Sequence, residues 1–225
     1  MPLHTFELTG HGPIELDIQR LVIAGWAGRD RAAVNHHIAE LAAIGVKPPS
    51  SVPTFYRVAS SLLDNGDRMQ VPGRDSSGEV ECVLLASEEH GTLVGIGSDH
   101  TDRKAEAYDV TVSKQMCAKP IGPKLWKLSE VQGHWDRLIS RCWRTRGGVR
   151  ALYQEGTLDR LLAPSDLLGR LNAGAMPSHT AMFCGTHAVI GELGWGEAFE
   201  LELHDPVLGR SLHHRYLAES LEIAQ

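Results

Sequence analysis

Residues 79–99 read EVECVLLASEEHGTLVGIGSD, two apolar segments joined by a polar turn. Both segments are rich in Val, Leu and Ile and have the length of a strand, and EEHG supplies the turn between them. We therefore predict a β-hairpin whose first strand begins at Glu79-Val80-Glu81 and whose second strand ends at Asp99. Because CVLLAS is apolar on both faces, we expect the hairpin to be buried.

The acidic residues lie at the open end of this hairpin. Side chains alternate along a strand, so Glu79 and Glu81 point the same way, about 6.6 Å apart. The hairpin places Asp99 beside them as a third ligand. Asp102 and His100 are the alternatives, and Asp99 could instead cap a turn. Buried carboxylates need compensation, and Mg²⁺ or Mn²⁺ prefers oxygen ligands, so the pattern predicts a metal site. On an exposed strand, E-x-E would only be a solvated face.

Apolar periodicity elsewhere predicts a mostly β chain with a few helices. The strands are expected at 3–9, at 14–24 and in the alternating tail 198–216, and the helices at 30–44, 128–143 and 165–174. Ser165 is the predicted N-cap of the last helix. A length of 225 residues is sufficient for one core, so we expect a single domain over 1–225.

Composition excludes several classes of protein. The net charge is −6, without a block of Lys or Arg, which argues against nucleic-acid binding. The chain has no apolar run long enough to span a membrane and no signal-peptide pattern at its start, so we expect a cytoplasmic protein. The four cysteines form no C-x-x-C pair, and we expect them to be reduced and buried.

Two further groups have residue types suited to catalysis. His37 and Glu40 lie three positions apart on the predicted helix 30–44, where a carboxylate can orient an imidazole as a general base. The same pair is also common on solvated helix surfaces. Lys114 precedes a loop that ends in Gly122-Pro123, and such a lysine can bind a carboxylate or an enolate oxygen near a metal. A solvated loop lysine is the alternative interpretation.

In their order, these segments resemble the fumarylacetoacetate hydrolase superfamily, from about Gly28 to Gly209. The similar segments are AGRDRAAVNHHIAEL, VPTFYRVASSLL, GEVECVLLAS, GSDHTDRKAE, SKQMCAKPIGPKLW and FCGTHAVIGE. The resemblance implies an α+β, mostly β fold, a mixed β-sandwich roll, in a homodimer. It also implies that Glu79, Glu81 and Asp99 bind Mg²⁺ or Mn²⁺.

The resemblance further implies the remaining site residues. His37, Glu40 and Lys114 take the catalytic positions, and the substrate-binding positions are Arg57, Gln115, Gly185 and Thr186. Several positions depart from the family pattern, with Arg57 in place of lysine and Cys117 in place of aspartate. Because these departures lie on the substrate side, we expect the metal centre and the His-Glu pair to be retained while the substrate differs.

The implied function is metal-dependent hydrolysis of a C–C bond in a 2-oxo acid or 1,3-dicarbonyl substrate, such as an acylpyruvate, through a metal-stabilised enolate. Decarboxylation, hydration or dehydration, and isomerisation of a related 2-oxo acid are the alternatives. A non-catalytic sandwich that binds metal for structure is the rival from another class. A cupin-type sandwich is disfavoured because its H-x-H ligand pattern is missing.

Overall fold

A computed structural model describes residues 3–43 and 48–224, without the side chains of His37, Glu40 and Leu41. The helices are α1 (Arg31–Ala43), α2 (Arg103–Glu106), α3 (Val110–Met116), α4 (Leu128–Val131) and α5 (Pro164–Asn172), with short 3₁₀ turns at Ser60–Leu62, Gln132–Arg137 and Leu158–Arg160. The strands are β1 (Leu3–Leu8), β2 (Gly12–Asp17), β3 (Arg20–Gly25), β4 (Thr54–Val58), β5 (Leu63–Asp64), β6 (Arg68–Pro72), β7 (Ser76–Ser77), β8 (Val80–Ser87), β9 (Gly91–Ser98), β10 (Thr101–Asp102), β11 (Lys119–Pro120), β12 (Lys124–Lys127), β13 (Ile139–Arg146), β14 (Val149–Thr157), β15 (Thr180–Phe183), β16 (Ala198–Asp205) and β17 (Arg210–Leu221).

Two large sheets form the framework. The first has eight strands in the order β2-β1-β12-β9-β8-β15-β3-β4, and the second has five in the order β14-β13-β16-β17-β6. Parallel pairs such as β1 with β12 and β15 with β3 occur among antiparallel ones, so the sheets are mixed. The predicted α+β, mostly β fold is confirmed.

Two apolar clusters explain the shape of the eight-stranded sheet. One cluster lies between the two sheets and joins residues such as Val80 and Leu84 to Phe199 and Leu201. The other lies on the opposite face of the larger sheet and combines residues from both of its ends, including Phe6 of β1 and Ile23 of β3. Because distant strands share this second cluster, the sheet curls around it into a roll.

The central hairpin forms as predicted. β8 and β9 pair antiparallel from Val80 opposite Ser98 to Ser87 opposite Gly91. Val83 and Leu85 project into the roll, and Cys82 and Leu84 project toward the second sheet, so both faces are buried. The burial of this strand explains its continuous apolar sequence.

The helix predictions are confirmed for 30–44 and 165–174 and wrong for most of 128–143. α1 begins after Asp30, whose carboxylate accepts from the backbone N–H groups of Ala32 and Ala33, and its predicted end at Ile44 lies outside the described residues. α5 starts with Pro164 at its first turn and Ala163 at the N-cap, so Ser165 is not the cap.

The segment 128–143 divides into α4, a 3₁₀ turn and the first half of β13. In β13, Ser140 and Cys142 are buried while Ile139 and Arg141 are half-buried, which is the two-residue alternation of a strand. β13 pairs with β14 on one side and β16 on the other. Tertiary pairing therefore overrides the local helical pattern.

None of the helices within 3–43 and 48–224 combines the length and apolar character that a membrane span requires. All four cysteines are free and buried, as expected.

Candidate metal centre

Three carboxylates converge where β8 begins and β9 ends. Glu79, Glu81 and Asp99 each offer an oxygen within 4.8 Å of the other two. The hairpin register explains this, since Glu81 lies opposite Gly97 and the Asp99 N–H donates to the Glu79 carbonyl at 3.0 Å. The structure thus brings together the three predicted ligands.

Two lysines bind the carboxylate of Asp99. Lys114 Nζ donates to Oδ2, and Lys119 Nζ lies 2.8 Å from Oδ1. Burial by itself would raise the pKa of Asp99, but the two ammonium groups hold it well below its ordinary value. Burial likewise opposes the charge of Lys114, yet Asp99 and Glu79 raise its pKa. Asp99 and Lys114 are therefore both charged.

Arginine provides the main compensation for Glu79. Arg103 Nη1 donates at 2.9 Å both to Glu79 Oε1 and to Glu106 Oε2, and its Nε donates to Ser77 Oγ at 2.7 Å. Lys114 Nζ lies 3.6 Å from the other oxygen of Glu79. The Glu79 carboxylate is thus held between two cations.

Glu81 differs from its neighbours because it has no directly bound cationic side chain among the described residues. One of its oxygens accepts from the Gly185 N–H at 2.7 Å. Burial raises the pKa of Glu81 well above its ordinary value, and the charges of Asp99 and Glu79 raise it further. A divalent cation would supply the missing compensation, and three carboxylates are the hard oxygen donors that Mg²⁺ and Mn²⁺ prefer. The residues present fit such an ion.

The alternatives to Asp99 have other partners. Asp102 caps α2, where its Oδ1 accepts from the Ala105 N–H at 2.7 Å. The His100 ring lies 2.9 Å from Tyr216 Oη and 2.9 Å from Ser76 Oγ, and burial lowers its pKa to about 3. His100 is therefore neutral and part of a buried network, and Asp99 is the residue that faces the Glu pair.

Of the three predicted catalytic residues, the structure describes the side chain of Lys114 only. Lys114 lies at the C-terminal end of α3, beside two of the three carboxylates. Positions 37 and 40 lie on α1, but the side chains of His37 and Glu40 are outside the description. Their role stays a prediction.

The predicted substrate-binding residues differ in their contacts. Gly185 contacts Glu81, and Thr186 donates to the Val80 carbonyl at 2.8 Å and accepts from Gln154 at 2.9 Å. Gln115 is exposed and accepts from the Ala59 N–H at 2.9 Å. Arg57 is exposed on β4. Substrate contact stays a prediction for all four.

The sequence did not lead us to three residues near the carboxylates, which are Lys119, Arg103 and Tyr56. The Tyr56 ring centroid lies 5.9 Å from Lys114 Nζ, so Tyr56 rather than Arg57 faces the lysine from β4. The available signal for Lys119 was its place in the apolar segment around Cys117 and Ile121, where a solvated lysine would be unusual.

Arg103 also lines a cleft of about 610 Å³. Among its other lining residues, Arg74 stacks over the Trp195 ring at 4.9 Å, and Arg146 lies 3.6 Å from Glu192. The volume is that of a small-molecule site, and one wall is shared with the carboxylate centre through Arg103.

Comparison with known proteins shows a family and a fold. The model of a family described as "Protein of unknown function (DUF2848)" matches residues 24–216. No curated protein is significantly similar in sequence.

Three solved structures illustrate the shared fold. A proposed fumarylpyruvate hydrolase from Burkholderia cenocepacia is 16% identical with a TM-score of 0.65, over 98% of this chain and 96% of that one. A yeast protein of the fumarylacetoacetate hydrolase family is 16% identical with a TM-score of 0.63, over 93% and 98%. A 2-keto-3-deoxy-D-arabinonate dehydratase, complexed with magnesium and 2,5-dioxopentanoate, is 12% identical with a TM-score of 0.64, over 95% and 78%. The resemblance inferred from sequence is confirmed at the level of fold.

Proposed function

The chain belongs to the family described as "Protein of unknown function (DUF2848)", and we propose that it is a divalent-metal-dependent enzyme acting on a small 2-oxo acid. Hydrolysis of a C–C bond in an acylpyruvate-like substrate is the reaction we propose. Neighbours of the same fold include a proposed hydrolase and a dehydratase, so dehydration of a related 2-oxo acid is the second candidate.

One observation carries the proposal: three carboxylates from one buried hairpin converge within 4.8 Å beside a charged lysine. Carboxylates repel one another in a buried setting, and such an arrangement is expensive unless cations bind it. A protein that needed only stability would place apolar residues at these positions. Charge concentrated in this way is typical of functional sites.

Each group has a proposed task. A divalent ion held by Glu79, Glu81 and Asp99 would supply Lewis-acid stabilisation for negative charge on a 2-oxo acid. Lys114 would bind a substrate oxygen through its ammonium group. His37, oriented by Glu40, would take a proton from water, whose oxygen attacks the distal carbonyl. The C–C bond then breaks with its electron pair on the 2-oxo acid fragment, which takes up a proton.

The test is turnover of a substrate panel with Mg²⁺ and with a chelator. The panel contains acylpyruvates, oxaloacetate and 2-keto-3-deoxy sugar acids. We expect at least one to be turned over only when metal is present, and the product identifies hydrolysis or dehydration. Absence of metal-dependent turnover across the panel would contradict the proposal.

A matched pair of variants tests the role of Glu81. Glu81→Gln removes one ligand charge without changing shape, and we expect turnover to fall by at least about a hundredfold and Mn²⁺ affinity to fall as well. Glu89→Gln alters an exposed carboxylate in the turn between β8 and β9 and should behave as wild type. Equal activity of the two variants would show that Glu81 has no role in the site.

A further inference from the structure

Lys119 is a fully buried cation attached to the centre. Its side chain and that of Asp99 are both 0% exposed, and its Nζ lies 2.8 Å from Asp99 Oδ1. The same Nζ donates to the His100 carbonyl at 2.6 Å. Since a lysine is rarely buried without a charged partner, the contact with Asp99 accounts for its presence.

Gly97 allows Lys119 to come this close. Ile121 forms an antiparallel β-bridge with Gly97, so the segment carrying Lys119 runs alongside β9 at that glycine. A Cβ atom at Gly97 would lie 2.7 Å from the Pro120 carbonyl oxygen. A residue without a side chain, opposite Glu81, therefore admits the second lysine.

The charges show what Lys119 changes. Three carboxylates face Lys114 and Lys119, while Arg103 is shared between Glu79 and Glu106. The charges of Arg103 and Glu106 cancel. The three carboxylates, the two lysines and a bound divalent ion then sum to one net positive charge. Without Lys119, the loaded centre would be neutral. Lys119 partly neutralises the negative charge of Asp99, so Asp99 offsets less of the positive charge of the metal ion. More of that positive charge then attracts the bound ligand.

We infer that Lys119 is a positioning residue that acts through Asp99 to make the loaded centre select ligands carrying two negative charges at the metal, such as the enolate form of a 2-oxo acid. This inference rests on the proposed function and names the form of substrate that the centre favours. It also assigns an effect on the ion itself, since Lys119 repels a divalent cation and weakens its binding.

A purely structural role explains less. β11, which contains Lys119, pairs with β5 through backbone hydrogen bonds that any side chain would permit. The His100 carbonyl is a neutral partner that does not need a full charge. An apolar side chain of similar length would fill the same space without the desolvation penalty of an ammonium group.

The experiment compares two ligands of the same shape and different charge. Oxalate is a dianion near neutral pH and oxamate is a monoanion. Calorimetry would measure binding of Mn²⁺, and then binding of each ligand to the Mn²⁺-loaded protein, for wild type and Lys119→Met. Lys124→Met removes an exposed lysine and is the control.

We expect opposite shifts in Lys119→Met. Mn²⁺ should bind at least about tenfold tighter, while oxalate should bind at least about tenfold weaker and oxamate should change much less, as follows from removing one buried charge a few ångströms away. A structural role would weaken metal and both ligands together. That outcome, or an unchanged ratio of oxalate to oxamate affinity, would overturn the inference.

Failure of the proposed function has a different signature. Wild-type protein that binds no Mn²⁺ would contradict the metal centre itself, before any variant is compared. If Lys119→Met does not fold, Lys119→Gln keeps a donor for the His100 carbonyl and removes the same charge. The same opposite shifts are expected for it.

Discussion

His214, on β17, is a buried imidazole outside the metal centre. Its ring stacks on Tyr216 with centroids 6.1 Å apart, and its Nε2 has no hydrogen-bond partner within the described parts of the chain. Burial lowers its pKa below the ordinary value of 6.5, although Gly66, Asp64 and Asp67 oppose the shift. The folded protein therefore holds His214 neutral at a pH where the unfolded chain would protonate it.

This residue should make stability depend on pH. Because the unfolded state binds the extra proton, the contribution of His214 is fully present above pH 6.5 and is lost as the pH falls below that value. We expect the melting temperature of wild type to fall between pH 7 and pH 5 more steeply than that of His214→Phe. His213→Phe is the control, since the His213 side chain is 67% exposed. Parallel curves for wild type and His214→Phe would contradict the prediction.

Single residues also show what sequence could establish. The alternation of a strand was sufficient to place Glu79 and Glu81 on one face, and the hairpin was sufficient to bring Asp99 beside them. The sequence left His100 and Asp102 as alternatives to Asp99. The structure gives both of them other partners, because Asp102 caps α2 and the His100 ring belongs to a buried network. Lys119 could not be found by spacing, since its approach depends on a bridge between segments distant in sequence.

At the scale of elements, the close approach of β9 and the segment from β11 to Ile121 depends on Gly97. A methyl group there would meet the Pro120 carbonyl oxygen at 2.7 Å, Phe183 at 2.8 Å and Val83 at 3.0 Å. One of these contacts is with backbone, which cannot rotate away. Gly97→Ala must therefore displace either the hairpin or the segment carrying Lys119.

We expect Gly97→Ala to lower the free energy of unfolding by about 1–3 kcal/mol, the usual range for overpacking a core. Gly169→Ala is the control, because its added Cβ has no neighbour within 4 Å apart from its chain neighbours and the backbone of its own helix, and alanine favours the interior of α5. Urea denaturation of both variants measures the difference. A stability of Gly97→Ala equal to wild type would show that the two segments can move apart without cost.

The wrong helix prediction for 128–143 also reflects contacts between elements. A short apolar pattern is compatible with helix or strand, and its outcome depends on available partners. β13 is flanked on both sides by strands that come later in the chain, β14 and β16. β13 and β14 also form a local hairpin, whose turn is Gly147-Gly148. That turn lies beyond 128–143 and was not used in the prediction, whereas the turn between β8 and β9 was recognised.

At the scale of the whole molecule, the two sheets and the metal centre are separable sources of stability. The cluster between the sheets and the cluster inside the roll are built from apolar residues of many strands. Lys114, Lys119 and Arg103 already compensate two of the three carboxylates. We therefore expect the fold to persist without a divalent ion, which distinguishes an enzyme site from the rival interpretation of a structural metal.

Thermal unfolding with chelator and with Mn²⁺ tests this separation. Chelator should leave a cooperative transition, while Mn²⁺ at a hundred times its Kd should stabilise the protein by about 2.7 kcal/mol through mass action. For a chain of this size that corresponds to a rise in Tm of about 5–10 °C. The rise should be lost in Glu81→Gln and kept in Glu89→Gln, because only Glu81 belongs to the carboxylate cluster. Unfolding on chelation would instead favour the structural role, because removal of a metal that holds the sheets together would unfold the protein.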